Sequence, residues 1–233
     1  MKLSYAFPLL FTTALAIAAD KGDSSSEAIK RLDDAHQVFT EAIKPSDKGI
    51  PRDLLEKAHC VAIVPGLKQG ALIVGAKYGK GVLFCRQATS GWRGPATVRI
   101  EGGSIGLQAG AGEVDVLMLV MNRKGADRIL KNEFKLGGEA TAMAGPIGRS
   151  VQAETDAYMR AEILGWSRSR GVFAGFALGG STLREDLDDN ERLYGKRLTN
   201  EEILRAGAPS VAPPAAARPL LTSLNSISRK ETK

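Results

Sequence analysis

Residues 60–86, CVAIVPGLKQGALIVGAKYGKGVLFCR, decide the fold. Short runs of Val, Ile, Leu and Phe alternate with single glycines, and no run is long enough for a buried helix. Such runs, bounded by turn-formers, read as strands. The texture continues through Ala96–Ile100, Ser104–Gln108 and Val114–Met121, and returns at Gly171–Leu178. Of the 26 glycines, 22 lie between Gly66 and Gly180. That density points to bulges and close backbone approach, which a strongly curved sheet requires. The expected class is therefore α+β: a glycine-rich, largely antiparallel, barrel-like sheet, with an N-terminal amphipathic helix and short flanking helices.

Outward from the sheet, residues 24–44 read as the amphipathic helix. Ser24 and Glu27 have capping-box spacing, and Ile29, Leu32, Ala35 or His36, Phe39 and Ile43 recur at helical steps. Its charges sum to −1, whereas a helix lying on a membrane is usually basic. Packing on the core and insertion into lipid both stay open. Residues 51–58, 123–132, Asp188–Leu193 and Thr199–Ala206 read as short helices, the last with a second capping-box pair, Thr199 and Glu202.

Met1, Lys2, an uncharged run over 3–18 and Ala16-Ile17-Ala18 have the layout of a secretory signal peptide. We expect residues 1–18 to be that signal, 19–25 a linker, 26–206 the folded domain, and 207–233 a disordered, basic, Pro/Ala-rich tail. The mature chain is then expected in the periplasm or outside the cell, attached peripherally to membrane.

The 233 residues carry 32 Lys and Arg against 26 Asp and Glu. Residues 205–233 hold +4 of that excess, so the body is nearly neutral and a nucleic-acid groove is not indicated. Charge within the body is segregated. No acid occurs from Ala58 to Ile100, and basic residues cluster there and near 123–135 and 168–170. One-sided cations suit an anionic surface. The candidate contacts are Lys77, Lys80, Arg86, Arg123, Lys124, Lys131, Arg168 and Arg170.

Motifs for chemistry fail on their own terms. Gly102-Gly103-Ser104-Ile105-Gly106 matches a nucleophile elbow, but both histidines, His36 and His59, precede the serine. The glycines of Gly70–Gly75 have phosphate-loop spacing, yet Ala76 replaces the lysine. Asp186, Asp188 and Asn190 begin like a calcium loop, but Glu191 and Arg197 occupy the glycine and closing-carboxylate positions. No enzyme, cofactor or metal is expected. Cys60 and Cys85 fit a disulfide or two buried thiols equally well.

Several separated stretches carry a resemblance: 48–86, then GGSIGLQAGAGEVDVLMLVMN (102–122), GPIGR (145–149) and AEILGWSRSRGVFAGFALGGSTLREDLDDNERLYG (161–195). In this order they resemble the SYLF domain, also called the Ysc84-type actin-binding domain, in a secreted bacterial form. The resemblance runs from about Ser26 to about Leu204. It implies non-enzymatic binding of anionic membrane lipids, phosphoinositides among them, through the N-terminal helix and a basic surface. In eukaryotic relatives it also implies actin binding. The expectation is a peripheral binder of anionic phospholipids in the cell envelope. The alternative is an envelope protein–protein interaction module.

Overall fold

The computed structural model describes residues 16–44, 49–71, 74–87, 91–105, 110–131, 134–136, 142–147, 158, 161–169, 171–175, 179–205 and 211–228. Four long strands dominate: β1 (Cys60–Ala71), β2 (Val74–Gln87), β3 (Gly91–Ile105) and β4 (Gly110–Val120). β5 (Phe134–Leu136), β6 (Ala142–Ala144), β7 (Ile163–Ser169), β8 (Val172–Gly175) and β9 (Ser181–Glu185) complete the described sheet. The order is β5-β9-β3-β2-β1-β4-β7-β6, with β8 also on β7. Every pairing is antiparallel except β6 with β7. The expected α+β class and the barrel-like, nearly closed sheet are observed.

Curvature originates at Pro65-Gly66. The register of β1 shifts there against both neighbours, and Gly66 adopts φ 57°. A proline inside a central strand is tolerated at such a bulge because it has no N–H to leave unpaired. The Gly66 N–H is satisfied by Oδ1 of Asp115 at 2.9 Å. Across the bulge β2 carries Gly79 and Gly81. A Cβ on Gly81 would lie 2.2 Å from the carbonyl oxygen of Ile63, so only glycine lets the strands approach.

The two faces of the sheet bury different clusters. The inner face gathers Ala62, Val64, Leu83, Val98, Ile100, Val116, Met118 and Phe134. It is closed by α3 (Arg123–Leu130) through Ile129 and Leu130, and by α5 (Asn200–Leu204) through Ile203 and Leu204. The outer face gathers Val61, Ile63, Val82, Phe84, Leu117, Leu119 and Trp166. It is covered by α1 (Ala16–Ala42), α2 (Arg52–Lys57) and α6 (Arg218–Ser228). α4 (Leu187–Tyr194) sits beside α1 and β3. Side chains cap three of these helices. Asn122 accepts from Gly125 N–H, Asp186 from Asp189 N–H, and Thr199 with Glu202 forms the expected capping box.

Two boundaries and one residue of the apolar stripe differ from expectation. α1 begins at Ala16, so Ser24 stands inside it and residues 19–25 are helical rather than a linker. Alanine, the strongest helix former, carries the helix upstream. Its buried face is Ala28, Leu32, Ala35, Val38, Phe39 and Ala42, with Ile43 packed at its edge; of the expected stripe, Ile29 is the residue that faces out, at 46% exposed. The third concerns the tail. Residues 218–228 form α6, which buries Leu220, Leu224 and Ile227 on the outer face. Pro213 and Pro214 precede a helix start rather than open a disordered segment. The expected signal peptide falls mostly on residues 1–15, and the last tail residues on 229–233, both outside the described residues. No described helix is long and apolar enough to cross a membrane.

Candidate functional site

At the end of the barrel where β1 begins, Cys60 pairs with Cys85 of β2 and Val120 of β4. His59 N–H donates to Val120 O (2.7 Å) and His59 O accepts from Arg86 N–H (2.8 Å), so the three strand ends are tied together. α3 follows β4, and α5 crosses opposite. Between them lies a cleft of about 500 Å³, walled by His59, Cys60, Cys85, Arg86, Gln87, Arg123, Asp127 and Arg205 among others. Cys60 and Cys85 are joined by a disulfide, with Cα atoms 4.0 Å apart. Strand pairing of the two cysteines settles what spacing left open.

The charge in this cleft is positive. Arg86 donates to the carbonyls of Ala58 (Nε, 3.1 Å) and Leu55 (Nη2, 3.1 Å) and lies 4.6 Å over the Trp92 ring; it makes no ion pair with a described residue, and Glu56 acts on it electrostatically. Arg123 is exposed and ion-paired with no described residue. Arg205 is matched by Glu201 at 2.6 Å. Asp127 is the one acid on the wall. His59 reports the balance: burial first, then Arg86 and Arg123, hold its pKa below 6.5 against the opposing pull of Asp127. Among the described lining residues there is no hydroxyl, and the two sulfurs are bonded to each other. The described side chains of this wall offer an anion more donors and positive charge than acceptors.

The expected lipid contacts separate into groups. Arg86 and Arg123 meet on the cleft. Lys124 and Lys131 are exposed on the same helix and its end, seven residues apart and so on one face. Lys124 also reaches buried Glu162 at 3.0 Å, which Arg128 holds at 2.9 Å. Lys77 lies nine residues up β2 from Arg86, roughly 30 Å away at about 3.3 Å per residue. Lys80 is clamped between Asp186 (2.8 Å) and Asp189 (3.1 Å) at the helix-covered face. Arg168 pairs with Glu41 of α1 and with Asp115, whose other oxygen holds the Gly66 bulge. Lys80 and Arg168 thus serve the fold. Arg170 lies outside the described residues. The described cations do not gather into one group: Lys77 and Lys80 have opposite parity on β2, and Lys80 and Arg168 are tied to carboxylates away from the cleft.

Sequence reading missed His59, Gln87 and Arg205. They belong to strand and helix ends far apart in the chain, and no local pattern links them. Trp92 and Trp166 are both buried, at 7% and 0% exposed; Trp166 donates to Pro146 O at 2.9 Å.

A family model described as Ysc84, Las17-binding protein actin regulator, matches residues 101–227. The chain is 32% identical over 202 residues to LAS seventeen-binding protein 3 of Saccharomyces cerevisiae, covering 82% of this chain and 43% of that protein. It is 33% identical over 202 residues to Protein YSC84 of the same yeast, covering 82% and 42%. It is 30% identical over 185 residues to SH3 domain-containing YSC84-like protein 1 of Homo sapiens, covering 79% and 53%. The chain spans about half the length of the curated relatives it matches.

Proposed function

Because the chain belongs to the Ysc84 family, we propose that it is a non-catalytic binding domain, docking on anionic phospholipid surfaces with the barrel end that carries the cleft and α3. The observation that carries this reading is the fate of the cations. Lys80 and Arg168 are locked in ion pairs, whereas Arg123 and Lys131 stand exposed and unmatched by any described acid, beside Arg86, which makes no ion pair with a described residue. Each lysine or arginine near an anionic leaflet contributes about 1 kcal/mol. Among the described side chains of α1, from Ser24 on, the apolar side lies in the core and so is not offered to lipid.

Vesicle co-sedimentation tests the reading. Binding to vesicles containing phosphatidylserine is expected to fall with added salt. Arg123→Gln with Lys131→Gln is expected to weaken it about 30-fold, for two contacts of about 1 kcal/mol each. Lys77→Gln, at the far end, should change little. Equal binding to purely zwitterionic vesicles, or an effect of Lys77 as large as that of Arg123 and Lys131, would defeat the proposal.

A second reading is a protein partner of actin assembly. It is favoured by the description of the matched family and the names of the yeast relatives. Met143 and Val172, on β6 and β8, also expose apolar side chains along the edge of β7 that β4 leaves free. A complex with an actin-assembly protein that survives high salt and detergent would favour it.

A further inference from the structure

The Cys60–Cys85 bond ties two central strands, yet it forms part of the wall of a cleft open to solvent. Two guanidinium groups that make no ion pair with a described residue, Arg86 and Arg123, stand on the same wall. We infer that this disulfide is a thiol-exchange site, opened by a small anionic thiol that enters the cleft.

The chemistry is simple displacement. The incoming thiolate sulfur bonds to Sγ of Cys85, the more exposed of the pair at 5% against 1%. The Sγ–Sγ bond breaks, and its electron pair leaves with Cys60 as a thiolate. A second small thiolate then attacks the sulfur of the first, now held in the mixed disulfide. That step releases the small-molecule disulfide and a Cys85 thiolate. Two small thiols are oxidised to one disulfide, and the two protein sulfurs take up two electrons and, from solvent, two protons.

Neighbouring cations favour both parts of this sequence. They raise the local concentration of an anionic nucleophile, and they stabilise the departing thiolate, which leaves faster as its pKa falls. After burial, the larger cause, Arg86 and Arg123 also hold the His59 pKa down, in keeping with the cationic wall beside Cys60. Reduction need not unfold the sheet. Val61, Ala62 and Ile63 of β1 remain paired with Phe84, Leu83 and Val82 of β2, and β1 keeps its whole ladder with β4. The site shares its barrel end, and Arg123, with the proposed lipid-docking face, but it is read by thiol chemistry and without vesicles.

The experiment treats the native full-length chain with three thiols of different charge: 2-mercaptoethanesulfonate, 2-mercaptoethanol and cysteamine. Rates are compared per thiolate present. Opening is read by mass after iodoacetamide quenching, as two added carbamidomethyl groups; the chain has only two cysteines. The anionic thiol is expected to react about tenfold faster than the cationic one. Arg123→Gln, an exposed substitution, and added salt are each expected to shrink that spread to about twofold. Circular dichroism should show the reduced chain still folded. Equal rates for all three thiols, a faster cationic thiol, or no alkylation until the protein is denatured would each overturn the inference.

Discussion

Nζ of Lys80 stands 3.1 Å from Oδ1 of Asp189, although 109 positions separate the two residues in sequence. Arg31 of α1 and Arg192 of α4 close on the same carboxylate, which is 2% exposed. Burial disfavours the Asp189 anion, but Arg31, Arg192 and Lys80 outweigh it and hold the group below its ordinary 3.8. Asp189→Asn should therefore lower unfolding free energy by about 3 kcal/mol at neutral pH, since it leaves buried cations without their partner. A depressed carboxylate stabilises the fold fully above its unfolded pKa, and that contribution fades as pH falls through the folded value. Urea titrations should show the deficit of the variant shrinking below about pH 4. A deficit unchanged down to pH 2 would contradict the assignment.

His59 carries the opposite kind of group with a similar sign. It is a base whose protonated form is disfavoured in the fold, by burial and then by Arg86 and Arg123. Its contribution to stability is present above 6.5 and is lost as pH falls, because the unfolded chain binds the proton more readily. His59→Gln should melt closer to wild type at pH 5 than at pH 8, or overtake it there. Arg123→Gln should raise the His59 pKa in an NMR titration. With only two histidines in the chain, His36 serves as the internal reference. No movement of His59 would mean that Arg123 does not act on the cleft.

Gly81→Ala places a methyl group 2.2 Å from the Ile63 carbonyl oxygen, a backbone atom that cannot turn aside. A loss of about 3 kcal/mol is expected from such overpacking. Gly112→Ala, on the neighbouring strand β4, meets nothing within 4 Å. It should be neutral or stabilising by up to about 1 kcal/mol, through the reduced freedom of the unfolded chain. Denaturant midpoints of the two variants give the comparison. Similar midpoints would show that the bulge does not bring β1 and β2 so close.

Leu224 is 1% exposed, on a helix that reading of the sequence assigned to a disordered tail. Leu224→Ala should cost about 2–5 kcal/mol, whereas Thr222→Ala, on the exposed side of the same turn, should stay within about 0.5 kcal/mol. Thermal melts distinguish them. If both are silent, α6 does not belong to the core.

The sheet was legible because its two signals are local: β-branched runs, and glycines where chains approach. The caps at Thr199 and Glu202 were legible for the same reason. The extent of α1 was not, since a plausible cap at Ser24 competes with an alanine-rich stretch upstream, and propensity prevailed. Nor was the order of α6, whose Leu220, Leu224 and Ile227 have helical spacing within an otherwise polar segment. The basic residues were visible as a list, but their use was not. Whether a cation faces a partner or solvent depends on which distant carboxylate the topology brings near, as with Arg168 and Asp115 or Lys80 and Asp189.

The placement of α1 has a mechanical consequence. Leu32, Val38 and Phe39 are fully inside, and Arg31 is fastened to Asp189. The helix acts as a keystone and not as a lever. Whatever grips it from outside would have to dismantle the arch before drawing it away, and traction applied there would be felt first at α4 and the strands beneath.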